Sequence, residues 1–491
     1  TLQFLNSQVT GPFTYGEPIG NSGVRLGGDG TTGTPEGAGA ASLRTKQAFG
    51  HLRYDFSDNV TGFIQGTVAQ SQTRYTGNWD SRAGVAVLSI FSGNAYLPTH
   101  VQDLMDSTGT ASFSFARQLL DLPGYDSSNK NDSYSVTAGL EGNILLFGEN
   151  WNWDLFYTHG SASMASSQVQ NENRHLFAAL DAVRHPDTDE IVCRVSITNP
   201  GFLPGCVPVN LFGHGSPSAE AIDFISDTSR FWVDNTLDEV AANISGSPFS
   251  TWAGPVSFNL GGSYRYQSLD QRSNADPAVP VDFGDIRGVS GNRARFGFTN
   301  TGVAEGSYSA TEVYAETVIP LLANMPFAEI LELNGAGRYT NYTTSGGVWT
   351  WKAGMSYQPI DGVRFRVTRS KDIRAPTLYD LFAGRDLGLV SFSDTGVTNL
   401  TRINTQYRGG NPELRPEVAY TTSVGVVLQP RALSGFSASI DYYKLKINDA
   451  ISTISASAAH DDCVSSGGTS PLCALFDRPM GNLDPSPENF P

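Results

Sequence analysis

The 491-residue chain carries a formal net charge of −16, and only 16% of its residues are charged, against about 25% in typical soluble domains. An acidic chain without a basic face is not expected to bind nucleic acid, because phosphate binding needs clustered Lys and Arg side chains. The sequence has no run of about 18 or more apolar residues, so no transmembrane helix is predicted. Its 52 glycines and 11% aromatic content favour an extended β-structure with one polar and one apolar side.

Apolar and polar residues alternate in many segments, which is typical of β-strands whose two faces meet different environments. The segment GHLRYDF (residues 50–56) places Leu52, Tyr54 and Phe56 on one face and charged side chains on the other. The segments SFNLGGSYRYQ, LELNGAGRY and VWTWKAGMSY follow, and each has one face without charge. Aromatic residues concentrate near the segment ends, as they do at the two interfaces of a membrane.

This alternation predicts twelve strands. A strand tilted by about 45° needs roughly 9–11 residues to cross the hydrocarbon of a bilayer, and most of the alternating segments are that long or longer. The predicted strands lie near residues 43–57, 61–78, 133–144, 151–165, 230–246, 255–271, 308–320, 329–342, 348–358, 363–371, 418–429 and 435–448.

The connections between these strands alternate between short and long, with one short exception at residues 343–347. Transmembrane barrels have short periplasmic turns and longer extracellular loops, whereas loops beyond about 15 residues are uncommon in compact soluble domains. A soluble β-sandwich also alternates, so the loop asymmetry decides between the two. We therefore expect an all-β fold, a transmembrane antiparallel up-and-down β-barrel, with about twelve strands of a larger barrel present.

Both ends of the chain fall in predicted outer loops. Residues 1–42 are rich in Gly, Thr and Ser and are predicted to be a loop, residues 43–448 hold the barrel strands and their loops, and residues 449–491 form a further extracellular loop. A barrel must close to leave no unpaired backbone in lipid. A chain that starts and stops in loops is therefore expected to be an incomplete barrel, with strands missing on both sides.

Two segments near the end of the predicted barrel resemble a known family. They are SKDIRAPTLYDLF (370–382) and GGNPELRPE (409–417). The pair looks like the barrel of TonB-dependent outer-membrane receptors, in which an Arg-Ala-Pro segment precedes an Asn-Pro-x-Leu-x-Pro-Glu segment that opens the next strand. The segment CVPVNLFGHGSPSAEAIDFI (206–225) is similar to an outer-loop segment of one branch of these receptors. The resemblance covers roughly residues 43–450.

The motif residues are expected to have mainly structural roles. Proline cannot donate to a strand ladder, so Pro376, Pro412 and Pro416 are expected to end strand pairing and to shape the loop. Arg374 and Arg415 are expected to bond carbonyls or carboxylates where this loop meets the barrel wall. The motif residues carried by the resemblance are Arg374, Ala375, Pro376, Asn411, Pro412, Leu414, Pro416 and Glu417.

The resemblance implies a gated transporter that takes up a scarce solute, namely a ferric siderophore, cobalamin, haem or an oligosaccharide. A complete receptor has a plug domain inside a barrel of about 22 strands and a short segment that pairs with TonB, and neither part is visible in the sequence. The implied partners are the outer-membrane bilayer of a Gram-negative bacterium, the TonB–ExbB–ExbD complex and a small-molecule ligand at the outer loops. A passive porin and a secreted β-rich adhesin or enzyme remain as alternatives.

The four cysteines lie as two local pairs in predicted outer loops. Outer loops pass through the oxidising periplasm, which favours disulfides. Four cysteines allow three connectivities, and local pairing is the simplest, because closing a loop of about 15 residues gains on the order of 3 kcal/mol. The local pairs are Cys193–Cys206 and Cys463–Cys473. Zinc is the alternative, although the spacing matches no standard zinc pattern; its further ligands would be His185, His214 or His460.

The sequence contains no G-x-S-x-G, H-E-x-x-H or P-loop motif, so neither an enzymatic activity nor a cofactor is predicted. The acidic clusters at Asp461-Asp462 and Asp187–Glu190 are interpreted as solvated loop charge, with calcium binding as the alternative. The better functional candidates are charged residues on the predicted lumen-facing side of the strands, namely Arg265, Arg338, Lys352, Arg364 and Arg366. Four loop aromatics either stack on a ligand or pack their loops, namely Tyr75, Trp79, Phe177 and Tyr407.

Overall fold

A single antiparallel sheet of twelve strands forms the centre of the computed structural model, which describes residues 2–5, 8–18, 25–29, 40–77, 81–82, 88–119, 121–122, 126–289, 294–433 and 435–490. Each strand pairs with its neighbours in sequence order, so the sheet has the predicted up-and-down topology, with β1 and β12 at its two edges. The strands are β1 (Ser42–Ser57), β2 (Val60–Thr76), β3 (Asp126–Leu146), β4 (Glu149–Asn171), β5 (Ser226–Gly246), β6 (Ser257–Ser273), β7 (Ala304–Met325), β8 (Ala328–Tyr342), β9 (Gly346–Ile360), β10 (Val363–Arg374), β11 (Glu417–Leu428) and β12 (Ala438–Asn448).

All twelve predicted strands are present, but several extend further than the alternation indicated. β3 begins at Asp126 rather than near residue 133, and β4 ends at Asn171 rather than near residue 165. The additional residues are mostly polar on both faces of the sheet, for example in DSSNKND (126–132). Backbone pairing continues there without an apolar face, so hydrophobic periodicity could not mark the strand ends.

Short connections lie at one end of the sheet, here called the turn end. Two-residue turns join β1 to β2, β3 to β4, β7 to β8 and β9 to β10. In the β3–β4 turn, Phe147 and Gly148 both have positive φ values, 54° and 81°, a geometry that matches the right-handed twist of a two-residue hairpin. Near the β7–β8 turn, Pro320 lies at a register shift, where a proline costs no ladder hydrogen bond.

Long connections lie at the opposite end, here called the loop end, and they contain helices and short strand pairs. The exception is the three-residue connection 343–345 between β8 and β9. The helices are α1 (Thr99–Thr108), α2 (Asn173–Leu180), α3 (Arg194–Thr198), α4 (Ala219–Ile225), α5 (Leu378–Phe382) and α6 (Ala456–Ser465), with 3₁₀ turns at Pro471–Leu475 and Pro487–Asn489. The strand pairs are Leu2–Phe4 with Thr10–Pro12, Tyr15–Pro18 with Arg25–Gly28, Ser81–Arg82 with Arg117–Gln118, Leu88–Phe91 with Ser112–Phe115, Ala182–Arg184 with Ile191–Cys193, and Asp386–Ser393 with Thr401–Arg408. A further pair, Ser250–Thr251 with Gly254–Pro255, lies in the longer β5–β6 turn.

The loops between β2 and β3, β4 and β5, and β6 and β7 share one hydrophobic core. Glu172 caps α2 by accepting from the His175 amide, and Ser218 caps α4 by accepting from the Ala221 amide. Burying a Leu, Ile or Phe side chain stabilises a structure by roughly 1.5–3 kcal/mol, so this core makes the three loops one packed layer. Its fully buried residues include Leu88, Ile90, Leu119, Leu176, Leu211, Phe212 and Ile225.

The register divides the sheet into an apolar face and a polar face. Leu333 on β8 lies opposite Ile319 on β7 and Met355 on β9, and this row continues the alternation that the sequence shows. Leu52 is 66% exposed and Ile440 is 72% exposed, so no second layer of the described chain covers them. The apolar face includes Leu52, Tyr54, Ile64, Val68, Val136, Leu140, Leu155, Tyr157, Val240, Ile244, Leu260, Tyr264, Val313, Leu333, Trp351, Met355, Phe365, Val367, Val424, Val426, Ile440 and Tyr442.

The uncharged part of this face has the height of a membrane's hydrocarbon. It covers about ten residues of a typical strand, which at about 3.3 Å per residue and a tilt near 40° corresponds to about 25 Å. Aromatic residues mark its borders on β9, with Tyr357 near the turn end and Trp349 and Trp351 nearer the loop end. Within the described ranges, no helix is both long and apolar enough to cross a membrane.

Replacing Leu140 with Arg is expected to lower the free energy of unfolding by about 2–4 kcal/mol, because a charge at the middle of a lipid-facing band costs that much. Guanidinium unfolding in phospholipid vesicles measures the loss. Ser135→Arg places the same side chain on the polar face of β3 and is the matched control, with an expected change of about 0.5 kcal/mol. Equal losses in the two variants would contradict a lipid-facing apolar side.

Candidate functional site

Three of the predicted polar candidates lie on the polar face of β9–β12. Arg366 on β10 forms a bidentate ion pair with Asp441 on β12, with N···O distances of 2.9 and 2.6 Å. Gly425 on β11 lies between them, and a β-carbon there would overlap the Asp441 carboxylate. Glycine at this position therefore allows an ion pair to span two strand spacings. Arg364 donates to Gln358 Oε1, and Lys352 lies opposite Ser370 on the same face.

The other two candidates lie on the polar face of β6–β8. Arg338 pairs with Glu312 at 3.2 Å, and its guanidinium lies 4.6 Å from the centre of the Tyr314 ring. Arg265 lies opposite Glu239 and Ala310 in the register, and its buried Nε has no hydrogen-bond partner within the described part of the chain. The five candidates thus share the polar face. Lys352 on β9 lies diagonally across from Arg338 on β8, because Lys352 is opposite Ala336.

The Arg-Ala-Pro segment is anchored by ion pairs where β10 ends. Arg374 donates to both carboxylate oxygens of Glu417, at 2.9 and 2.8 Å, and lies 3.6 Å from Asp380. Thr377 and Asp380 form a capping box that starts α5, because each side chain bonds the other residue's amide. Arg374 therefore ties the start of β11 to the helix that follows β10.

The Asn-Pro-x-Leu-x-Pro-Glu segment holds α5 from the other side. The Asn411 amide donates to the Asp380 carbonyl at 2.8 Å, and the Asn411 side chain accepts from the Glu413 amide. Leu414 packs in the cluster that contains buried Leu381. The predicted contact of Arg415 is wrong for the described residues, because its side chain is exposed and forms no hydrogen bond or ion pair with them. The reason is that Glu417 is already satisfied by Arg374.

The helix α5 lies over the polar face and closes one side of a cavity of about 730 Å³. Side chains of β2–β7 form the opposite side, where small and amide groups predominate. This cavity combines a polar wall with an exposed aromatic residue, Tyr379. Its lining includes Thr67, Ser133, Ser135, Asn235, Gln267, Gln271, Tyr308, Leu378 and Tyr379.

A buried ion triad fixes the large loop layer above the sheet. Asp181, whose side chain is 6% exposed, pairs with Arg194 at 2.8 Å and with Arg287 at 2.6 Å. Two cations compensate this one buried carboxylate, which would be costly alone. The disulfide Cys193–Cys206 lies beside Arg194, and it is the local pair that the sequence favours.

A second buried network joins the Asp386–Ser393 hairpin to the segment after β12. His460 Nε2 donates to Asp394 Oδ1 at 2.9 Å, and Arg478 donates to Asp394 Oδ2 at 3.1 Å. Burial raises the pKa of Asp394, but hydrogen bonds from Arg478 and Thr398 outweigh it, and the pKa is lowered to about 2. The disulfide Cys463–Cys473 closes the same segment. The network therefore holds two distant loops together through one ionised carboxylate.

Of the loop aromatics named as candidates, one is buried in the loop core and two are exposed. Phe177 is 7% exposed and packs edge-on to Phe283, so its role is to pack the loop. Tyr407 is 57% exposed and lies beside Arg385, and Tyr75 is 40% exposed on the polar face. Trp79 lies outside the described residues.

The metal alternatives receive no support from the side-chain positions. All four cysteines are oxidised in disulfides, so none supplies a thiolate. Within the described part of the chain, no three His, Cys, Asp or Glu side chains are placed to share a metal ion. His460, one of the candidate ligands, bonds Asp394 instead.

The sequence could have revealed α5 but not the Asp394 network. Thr377 and Asp380 match the capping-box spacing, but Pro376 directly before them is a turn signal that competes with it. Asp394 is 66 residues from His460 and 84 residues from Arg478, and no local pattern joins them. The buried loop core was also missed, although the helical spacing of Leu176, Phe177 and Leu180 indicates an apolar helix face.

Together, an uncharged face of membrane height, a polar face crossed by ion pairs and long loops at one end define the wall of a transmembrane β-barrel. The family described as TonB dependent receptor-like, beta-barrel matches residues 105–472, which is more than half of the chain. The chain belongs to this family, and the two motif segments are those by which it resembles these receptors.

Three of the solved structures that match this chain come from two bacteria. The siderophore receptor PirA from Acinetobacter baumannii is 14% identical with a TM-score of 0.44, over 84% of this chain and 44% of that one. A mutant of the ferric enterobactin receptor from Pseudomonas aeruginosa is 16% identical with a TM-score of 0.41, over 84% and 44%. The ferripyoverdine receptor of Pseudomonas aeruginosa is 11% identical with a TM-score of 0.43, over 82% and 42%. The chain thus spans less than half the length of these structures. No curated protein sequence is significantly similar to it.

Replacing Asp394 with Asn is expected to destabilise the junction of the two loops by about 3–5 kcal/mol, because it leaves Arg478 as a buried and unpaired cation. Amide hydrogen exchange of segment 456–475 measures the change. The exposed neighbour Asp461, whose side chain is 80% exposed, provides the control Asp461→Asn, which should exchange like the wild type. Unchanged protection in Asp394→Asn would show that the network does not hold the loops.

The stability of the same junction is expected to fall at low pH. Because the folded-state pKa of Asp394, about 2, is below its unfolded value near 4, the contribution of Asp394 is complete above about pH 4. It is lost as the pH falls through about 2, and the total loss is about 2 kcal/mol. Hydrogen exchange between pH 5 and 2, corrected for intrinsic rates, tests this loss, which Asp394→Asn should not show.

Proposed function

We propose that this chain is the barrel part of a TonB-dependent outer-membrane receptor that takes up a scarce solute with energy from the inner membrane. The solute classes are ferric siderophores, cobalamin, haem and oligosaccharides. Force would reach the receptor through the TonB–ExbB–ExbD complex. The observation that carries the proposal is the family match over residues 105–472 on a sheet with one apolar and one polar face.

The domain assignment is part of this proposal. Residues 43–448 supply barrel strands and loops, and residues 1–42 and 449–491 supply further outer loops. A plug and a TonB-contacting segment, supplied from outside residues 1–491, would complete the transporter. The proposed location is the outer membrane of a Gram-negative bacterium, with the loop end outside the cell and the turn end in the periplasm.

The features of the loop end suit capture of a small solute. The cavity lies between α5 and the polar face of β2–β7, which is where a solute entering the barrel would pass. Ligand sites usually combine a concave surface with a few fixed polar groups, and here Gln267 and Tyr308 contribute such groups. Arg374 and Asn411 fix α5 on one side of the cavity. We therefore infer that α5 and its anchors take part in ligand access.

Uptake by living cells tests the proposal. A strain without the gene, and the same strain carrying it, would receive nanomolar labelled ferric siderophore, cobalamin, haem and oligosaccharide, each with and without TonB. Saturable uptake of one solute class is expected only when both the gene and TonB are present, because a gated barrel opens only when TonB transmits force to the plug.

Two results would contradict the proposal. Uptake that rises linearly with concentration and does not need TonB would indicate a passive porin. An absence of saturable uptake in all four classes would remove the assigned solutes. The variant Leu381→Asp, which introduces a charge into the buried cluster under α5, should lower uptake. Leu381→Met keeps an apolar side chain of similar size at the same position and serves as the matched control.

A further inference from the structure

Four cations lie on the apolar face at the loop end of strands β10 and β12. They are Arg369, Lys371, Lys444 and Lys446, and we call them the basic rows. Arg369 lies opposite Thr422 on β11, and Thr422 lies opposite Lys444. Lys371 is related to Lys446 in the same way through Tyr420. Each pair of cations is therefore separated by two strand spacings, about 10 Å.

The basic rows begin where the uncharged band ends. The next row toward the turn end consists of Val367, Val424 and Tyr442, and the row after it consists of Phe365, Val426 and Ile440. An amphiphile lying along these strands would thus place its acyl chains on the apolar rows and its headgroup beside the cations. Lys and Arg side chains at such a border extend toward the membrane surface.

The basic rows have no anionic partner in the described chain. None of the four side chains lies within ion-pair distance of a carboxylate there, and Arg369 donates only to the neutral Thr422 hydroxyl, at 2.7 Å. On the polar face of the same strands, Arg366 and Arg374 are both paired with carboxylates. The contrast shows that pairing is available on this part of the sheet but is absent from its lipid-facing border.

Lysine use over the whole sequence points to the same border. The chain has six lysines and a net charge of −16, so a general basic surface does not explain the cluster. The register places five of them on the apolar face beyond the uncharged band: Lys46, Lys130, Lys371, Lys444 and Lys446. The sixth, Lys352, lies on the polar face.

On the middle strands, the loop-end border of the uncharged band carries paired charges instead of unpaired cations. On β5, Asp234 and Asp238 occupy it, and they pair with Arg272 and His159. Among the described residues, the cations of this border that have no carboxylate partner therefore lie toward the two edges of the sheet, with the largest group at β10–β12 and a smaller one at Arg44 and Lys46 on β1. A ligand that matches the charge of the basic rows must be anionic, and a ligand that matches the rows below must be apolar.

We propose that the basic rows bind the anionic headgroup of a glycolipid of the outer leaflet, through its phosphate or carboxylate groups. The acyl chains lie on the apolar rows formed by β10, β11 and β12. This inference rests on the proposed membrane orientation, with the loop end outside. The basic rows then hold a specific lipid at the side of the receptor, away from the polar-face cavity.

The test uses the protein purified from outer membranes in a neutral detergent. Native mass spectrometry measures the binding of lipid A with two phosphates, the same lipid without phosphates, and a glucuronosyl ceramide. The variant R369Q/K371Q/K444Q/K446Q removes the charge, and K371R/K444R/K446R retains it. Lys352→Gln with Arg364→Gln removes two charges from the opposite face of β9–β10 as the matched control. Heat-modifiable gel mobility verifies that each variant is folded.

The wild type is expected to bind at least one of the two anionic lipids roughly tenfold or more tightly than the glutamine variant binds the same lipid, because each lipid-proximal cation adds affinity. If that lipid is lipid A with two phosphates, the wild type should also bind it roughly tenfold or more tightly than it binds dephosphorylated lipid A. The arginine variant and the opposite-face control should resemble the wild type. Equal affinity of the glutamine variant would overturn the inference, and so would complete displacement of the lipid by millimolar inorganic phosphate. A protein that never acquires heat-modifiable mobility would instead count against the membrane barrel itself.

Discussion

Backbone N–H and C=O groups in the hydrocarbon of a membrane must find partners within the protein, since each unpaired group costs several kcal/mol. A continuous antiparallel ladder from β1 to β12 meets this constraint for the interior strands. It also forces alternate side chains into two solvents. The uncharged rows on one face and the paired charges on the other both follow from this requirement, so the ladder determines where every functional group of the wall is located.

Charge is treated differently in the three environments that the sheet creates. On the polar face, ion pairs such as Arg366–Asp441 cross between strands and depend on the missing side chain of Gly425. In the loops, buried carboxylates such as Asp181 are each compensated by two cations or by a cation and a histidine. At the border of the apolar face, the basic rows remain uncompensated. The first two arrangements hold their charged side chains in fixed contacts within the protein, whereas the third leaves positive charge without a protein partner among the described residues.

The wall could be predicted from the sequence because its signal is local. A side chain two positions along a strand shares the same solvent, so all twelve strands and the alternation of short and long connections were recognisable. The loop-end extensions of β3 and β4 were not, since both faces are polar there. The loop layer was missed for a different reason: the Asp394 network joins residues far apart in sequence, and α5 was hidden behind the turn signal of Pro376. The shared polar face of Arg265 and Arg338 followed from alternation, but their separation from Arg364 and Arg366 required the register.

The two-solvent wall can be measured directly on β9. Nitroxide labels placed singly from Val348 to Tyr357, in protein reconstituted into phospholipid vesicles, report the accessibility of each position to oxygen and to a water-soluble nickel complex. The ratio of oxygen to nickel accessibility should alternate with a period of two residues, high at Trp349, Trp351, Ala353 and Met355 and low at Thr350, Lys352 and Ser356. Equal ratios at successive positions, or free access of the nickel complex to both faces, would contradict a wall that separates lipid from water.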